Sequence, residues 1–175
     1  MARLGLVLGA AFLTFGYAKC TFLSDPGAVS GNGNTNTDFS TTLSLQDSAG
    51  APTTSFAMGQ AIQFDLGILN QSDQADSLSF PDAQIYDFYV LDASSSNVRW
   101  RWSADKTFTQ TTTSLSFAAN SSKSYVVTWN GVLADGTQLP AGSYRARGVI
   151  VADDFTSDPM MTSDLGSNIV NFTVR

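Results

Sequence analysis

Four aspartates crowd the stretch from Asp153 to Ser167, D-D-F-T-S-D-P-M-M-T-S-D-L-G-S, and carboxylates gathered in a loop are the usual ligands of calcium. The spacing lacks the D-x-[DN]-x-[DN]-G pattern of a calcium loop, so no metal is assigned. The same stretch sets Phe155, Pro159, Met160 and Met161 among polar neighbours, and apolar side chains exposed in a loop can form a contact surface for a partner. The other reading is that they fold back to cap a core. Covalent chemistry has little to work with. The chain has no His, and all 15 of its acidic residues are Asp, which removes every Ser-His and Cys-His pairing and the commonest general base. A hydrolase would need paired aspartates or a Ser-Lys couple, and Ser122-Lys123 has the look of an ordinary turn. The reading is therefore not an enzyme, with no catalytic residue and no cofactor.

Cys20 is the one cysteine, so no disulfide can form within the chain. It follows a basic residue, Arg3, an apolar run from Leu4 to Phe15, and the small-x-small triplet Gly16-Tyr17-Ala18. That is the three-part pattern of an export signal, and the run is too short to span a bilayer, which takes roughly 20 residues. Two readings of the thiol stay open. It resembles the lipidated first residue of a mature bacterial lipoprotein, although Tyr17 and Lys19 stand where that pattern has an aliphatic and a small residue; or it is incidental to a soluble signal cleaved nearby. Residues 1–19 are thus expected to be a signal and residues 20–38, rich in Gly, Asn, Ser and Thr, a flexible linker. Residues 39–175 form the single folded domain.

The elements that must position any site are strands. An acidic set made only of Asp suits caps and turns better than helices, and from Phe39 onward the apolar period is two. Ile62, Phe64, Leu66 and Ile68 share one face. Tyr86, Phe88 and Val90 share another, opposed by Asp87, Tyr89 and Leu91. Trp100, Trp102 and Trp129 are all expected in the core, with Arg99 and Arg101 facing solvent as cross-strand partners of residues such as Asp87. Asn130-Gly131 and Asp135-Gly136 mark tight turns, and Tyr144, just after Pro140-Ala141-Gly142, is placed to be a corner tyrosine. About 8–9 strands with turns between them predict an all-β, antiparallel, immunoglobulin-like β-sandwich. The net charge of −6 argues against nucleic acid as a partner, and leaves the membrane reachable only through a lipid on Cys20.

The segment Y-D-F-Y-V-L-D-A…V-R-W-R-W-S-A-D-K-T-F-T-Q, the strand Tyr125 to Trp129 and the L-P-A-G-S-Y corner together resemble the BsuPI family of intracellular proteinase inhibitors, over about residues 60 to 152. W-R-W-S…F-T-Q carries most of the likeness. W-N-G…D-G…L-P-A-G-S-Y is also similar to the immunoglobulin-like module of flagellar hook-capping proteins. The resemblance implies a β-sandwich that inhibits a serine protease by stoichiometric binding. The export signal moves the expected partner outside the cytoplasm, to the periplasm, cell envelope or exterior. The alternative is a non-inhibitory structural or adhesion module of the envelope.

Overall fold

The computed structural model describes residues 38–95, 97–152 and 165–175. Among the described residues ten strands follow one another: β1 Phe39–Gln46, β2 Ser55–Phe56, β3 Ile62–Asn70, β4 Asp76–Phe80, β5 Tyr86–Asp92, β6 Val98–Arg101, β7 Thr113–Phe117, β8 Ser122–Trp129, β9 Gly142–Ile150 and β10 Val170–Val174. They pair as a three-stranded sheet β1-β3-β8, a five-stranded sheet β2-β10-β9-β5-β6 and a ribbon β4-β7. The protein is an all-β sandwich with one more strand than the pattern predicts, the two-residue β2, and with one parallel pair, β2 with β10.

Period-two alternation explains the layering. On β3 the side chains of Ile62, Phe64, Leu66 and Ile68 are buried while Gln63, Asp65 and Gly67 are half-buried on the other face. Each such fully buried side chain stabilises by about 1.5–3 kcal/mol. Phe64 meets Phe88 of the opposite sheet with ring centroids 5.5 Å apart, and Phe56 meets Phe172 edge-on at 6.0 Å. Leu66 packs tightly against Gly148, a position at which a Cβ would lie 2.8 Å from Leu66 Cδ1.

The turns follow their residues. Gly131 and Gly136 hold φ of 76° and 82°, as the Asn-Gly and Asp-Gly pairs predict. Tyr144 closes its corner by donating its hydroxyl to the Pro140 carbonyl at 2.8 Å. Asn70, the first of three Asn-x-Ser/Thr sequons, is wholly buried and donates through Nδ2 to the carbonyls of Gln74 and Ala118, so its amide is committed to the fold.

Two expectations about β5 and β6 need correcting. Only Trp129 is buried in the core; Trp100 and Trp102 are half-buried, because β6 ends its sheet and nothing among the described strands pairs with it beyond. Arg101 does pair with Asp87, Nε to Oδ2 at 2.6 Å, but Asp87 is completely buried rather than facing solvent. A second apolar cluster of Tyr89, Leu91, Val149 and Val151 lies on that outer face of the five-stranded sheet, and it shelters the carboxylate.

Candidate functional site

Phe155, Pro159, Met160 and Met161 lie outside the described residues, as does Cys20. What is described is the frame from which residues 153–164 depart and to which they return. Ile150 donates its N–H to the Leu165 carbonyl at 3.0 Å, and Val149 bridges Gly166. Ser167 donates its N–H to the Gly148 carbonyl at 2.8 Å and accepts the Gly148 N–H on its hydroxyl at 3.0 Å. On the departing side, Val151 donates to the Ile85 carbonyl at 2.9 Å, and Ala152 and Leu165 are both buried. Gly166 packs directly on the Arg147 guanidinium, where any side chain would collide. Beyond it, Asn168 exchanges both its side-chain bonds with the main chain of Leu43, at 2.8 and 3.3 Å. The departing stem is thus bonded to Ile85, just ahead of β5, and the returning stem to β9.

The structure also presents a surface that the core reading of the tryptophans passed over. Between β6 and the end of β8 runs a groove of about 760 Å³, walled by Val98 to Trp102 on one side and by Val127 to Asn130 and Val132 to Ala134 on the other. Trp100 stacks on Trp129 with centroids 4.6 Å apart and planes 16° from parallel. Trp102 lies 4.6 Å from Tyr86, which in turn packs 4.7 Å from Tyr125. Burial raises the pKa of Tyr86, and burial followed by the neighbouring Tyr86 raises that of Tyr125. The Lys106 ammonium sits 4.9 Å from the Trp102 ring centroid, a cation–π contact. The signal was in the sequence: V-R-W-R-W at a strand edge marks an aromatic face, and only the strand's position in the sheet says whether that face is open.

Behind the groove, Asp87 gathers four donors. Arg101 Nε and Ser103 Oγ each approach Oδ2 at 2.6 Å, while the Ser103 and Phe88 amides donate to Oδ1 at 3.1 and 2.9 Å. The buried carboxylate thus ties β5 to the turn that leaves β6. Tyr89 beside it has its pKa driven well above the ordinary value, first by burial and then by the Asp87 charge, against the opposing pull of Arg101. Lys123, the one lysine next to a serine, places its ammonium over the Phe117 ring at 5.4 Å. Among the described residues no group of three or more His, Cys, Asp or Glu is arranged to hold a metal ion.

Many solved structures resemble this chain in fold, three of them as follows. The glucose complex of a β-glucosidase from Listeria innocua is 14% identical over 78% of this chain, with a TM-score of 0.42, and this chain spans 16% of that enzyme's length. A β-glucosidase from Erythrobacter marinus is 10% identical over 78% of this chain and 16% of its own, at 0.41. The CARDB domain of a Pyrococcus furiosus protein, solved with two metal ions, is 10% identical over 78% of this chain and 92% of its own, also at 0.41. No curated protein matches the chain. A family model described as BsuPI, intracellular proteinase inhibitor, matches residues 52–155, more than half of the sequence and all of the span from β2 through β9. The chain belongs to the BsuPI family of intracellular proteinase inhibitors.

Proposed function

We propose that this protein inhibits a serine protease outside the cytoplasm by stoichiometric binding, without catalysis of its own. The observation that carries the reading is the family match over residues 52–155. The fixed stems at Ala152 and Leu165 support the segment between them, with Phe155, Pro159, Met160 and Met161, as the part that enters the protease cleft. The apolar run Leu4 to Phe15 supports export, and Cys20 supplies the residue on which a lipid would anchor the domain to a membrane. Titrating the purified protein against secreted subtilisin-like and trypsin-like proteases tests the first claim. Activity should fall to its floor near one equivalent. Undiminished turnover, or ready digestion of the domain, would instead favour a structural module of the envelope. Mass spectrometry of the mature N-terminus tests the second, by separating an acylated Cys20 from an unmodified start.

A further inference from the structure

We propose that the groove between β6 and β8 binds an extended acidic polypeptide segment, whose main chain pairs with the free edge of β8 and whose carboxylates meet Arg99 and Lys106. This goes beyond protease inhibition and does not depend on it.

The groove lies where both sheets stop. β6 pairs only with β5, and β8 only with β3, among the described strands. The two edges differ. Along β6 the register steps from Val98 opposite Leu91 to Trp100 opposite Val90, leaving Arg99 as an extra, bulged residue on a strand of four. A short, bulged edge is a poor template for another strand, but a bulge re-aims its side chain, here into the groove wall. β8 is eight residues long and its register with β3 is unbroken from Ser122 to Trp129. The bond from the Asn70 amide to the Ser121 carbonyl sets its phase. Odd-numbered residues of β8 bond toward β3, so Ser124, Val126 and Thr128 turn their N–H and C=O groups to the open side. Main-chain pairing along such an edge supplies affinity in strand addition, and the adjoining side-chain contacts supply specificity.

Those contacts favour an acceptor-rich, acidic ligand. Trp100 and Trp102 both line the groove, and an indole N–H is a hydrogen-bond donor only, so acceptor groups suit it. Three cations line the groove, Arg99, Arg101 and Lys106, against one lining carboxylate, Asp105, on a chain whose net charge is −6. Arg101 is committed to buried Asp87. Arg99 stands 3.7 Å from Asp92 and is close enough to Asp135 to help the Thr137 hydrogen bonds lower that carboxyl's pKa, while Lys106 contacts its exposed neighbour Asp105 at 3.3 Å. Exposed pairs of this kind contribute about 0–1 kcal/mol, so a ligand carboxylate can replace them at little cost. The ring planes on which a sugar would stack are largely taken up by the Trp100–Trp129 and Trp102–Tyr86 contacts, which favours a polypeptide over an oligosaccharide.

All three tryptophans of the chain line this groove, so intrinsic fluorescence reports its occupancy directly. The full chain is titrated with an acetylated hexapeptide of alternating Asp and Val, with the same peptide carrying Lys for Asp, and with chitohexaose. The expected result is a saturable change with the acidic peptide alone, weakened by salt. Lys106→Asp, a change in an exposed loop, and Thr128→Pro, which removes an outward N–H without touching a bond to β3, should each weaken binding by at least about tenfold while circular dichroism stays unchanged. The proposal is overturned by equal responses to both peptides, by a response to the sugar alone, by no saturable change up to millimolar peptide, or by wild-type affinity in both variants.

Discussion

β5 and β6 are adjacent, antiparallel and written in nearly the same alternating code, Y-D-F-Y-V-L-D against V-R-W-R-W, yet they end up in opposite circumstances. From Asp87 to Leu91 every side chain of β5 is buried, on both faces, because β9 flanks it and a second apolar cluster covers its outer side. β6 has no residue fully buried, carries a bulge at Arg99 and leaves Trp100, with Trp102 just after it, half open. The same alternation therefore makes a core strand or a recognition edge according to what lies beyond it. Charge behaves likewise: Asp87 on β5, wholly buried, holds four donors, whereas Arg99 on β6 is exposed, with the Asp92 carboxylate at 3.7 Å.

The widest test of that contrast is pH. Tyr86, Tyr89, Tyr125 and Tyr144 all have pKa values raised above the ordinary 10.0, in each case chiefly by burial. A phenol that ionises later in the folded state than in the unfolded one contributes stability that is complete below the unfolded value and is lost as pH climbs through the folded one. Thermal midpoints measured against pH should be flat between about pH 5 and 9, there being no His to titrate, and should collapse above about pH 10. Tyr89→Phe on β5 should soften that alkaline collapse more than Tyr125→Phe beside the groove.

Asp87→Ala comes next. It leaves Arg101, Ser103 and the Phe88 amide without their buried acceptor, and urea denaturation should show a loss of about 2–3 kcal/mol, the exposed part of Arg101 being free to take water. Gly148→Ala on β9, directly against Leu66, should cost about 1–3 kcal/mol by forcing the sheets apart. Arg99→Ala is the smallest: stability should change by no more than about 0.5 kcal/mol, and a larger loss would mean that the β6 edge belongs to the core after all.

Much of this was legible in the residues. The facing of β3, β5, β8 and β9, the glycine turns at Gly131 and Gly136, the Tyr144 corner and the pairing of Arg101 with Asp87 all follow from period two and turn chemistry, which are local. What was not legible is order across the sheet. Alternation put Trp100 and Trp102 on one face, but their exposure depends on β6 being last, and strand order is decided by contacts remote in sequence. The burial of Asp87 was hidden for the same reason, since Tyr89, Leu91, Val149 and Val151 come from two strands more than fifty residues apart. β2 escaped because two residues are too few to show a period, and its parallel partner is β10, at the far end of the chain.

That last pairing carries a consequence for how the molecule is made. β10 lies between β2 and β9, and Asn168 just ahead of it bonds Leu43, 125 residues earlier. At translation rates of about 5–20 residues per second, β2 waits on the order of ten seconds for its neighbour to emerge. Through that interval Phe56 lacks Phe172, and for its last few seconds, about 1–4 s, β9 presents an unpaired edge to whatever is nearby. The nascent domain is most prone to aggregate just before it is finished, so the protein's yield in a cell should track chaperone capacity more closely than the stability of the completed sandwich.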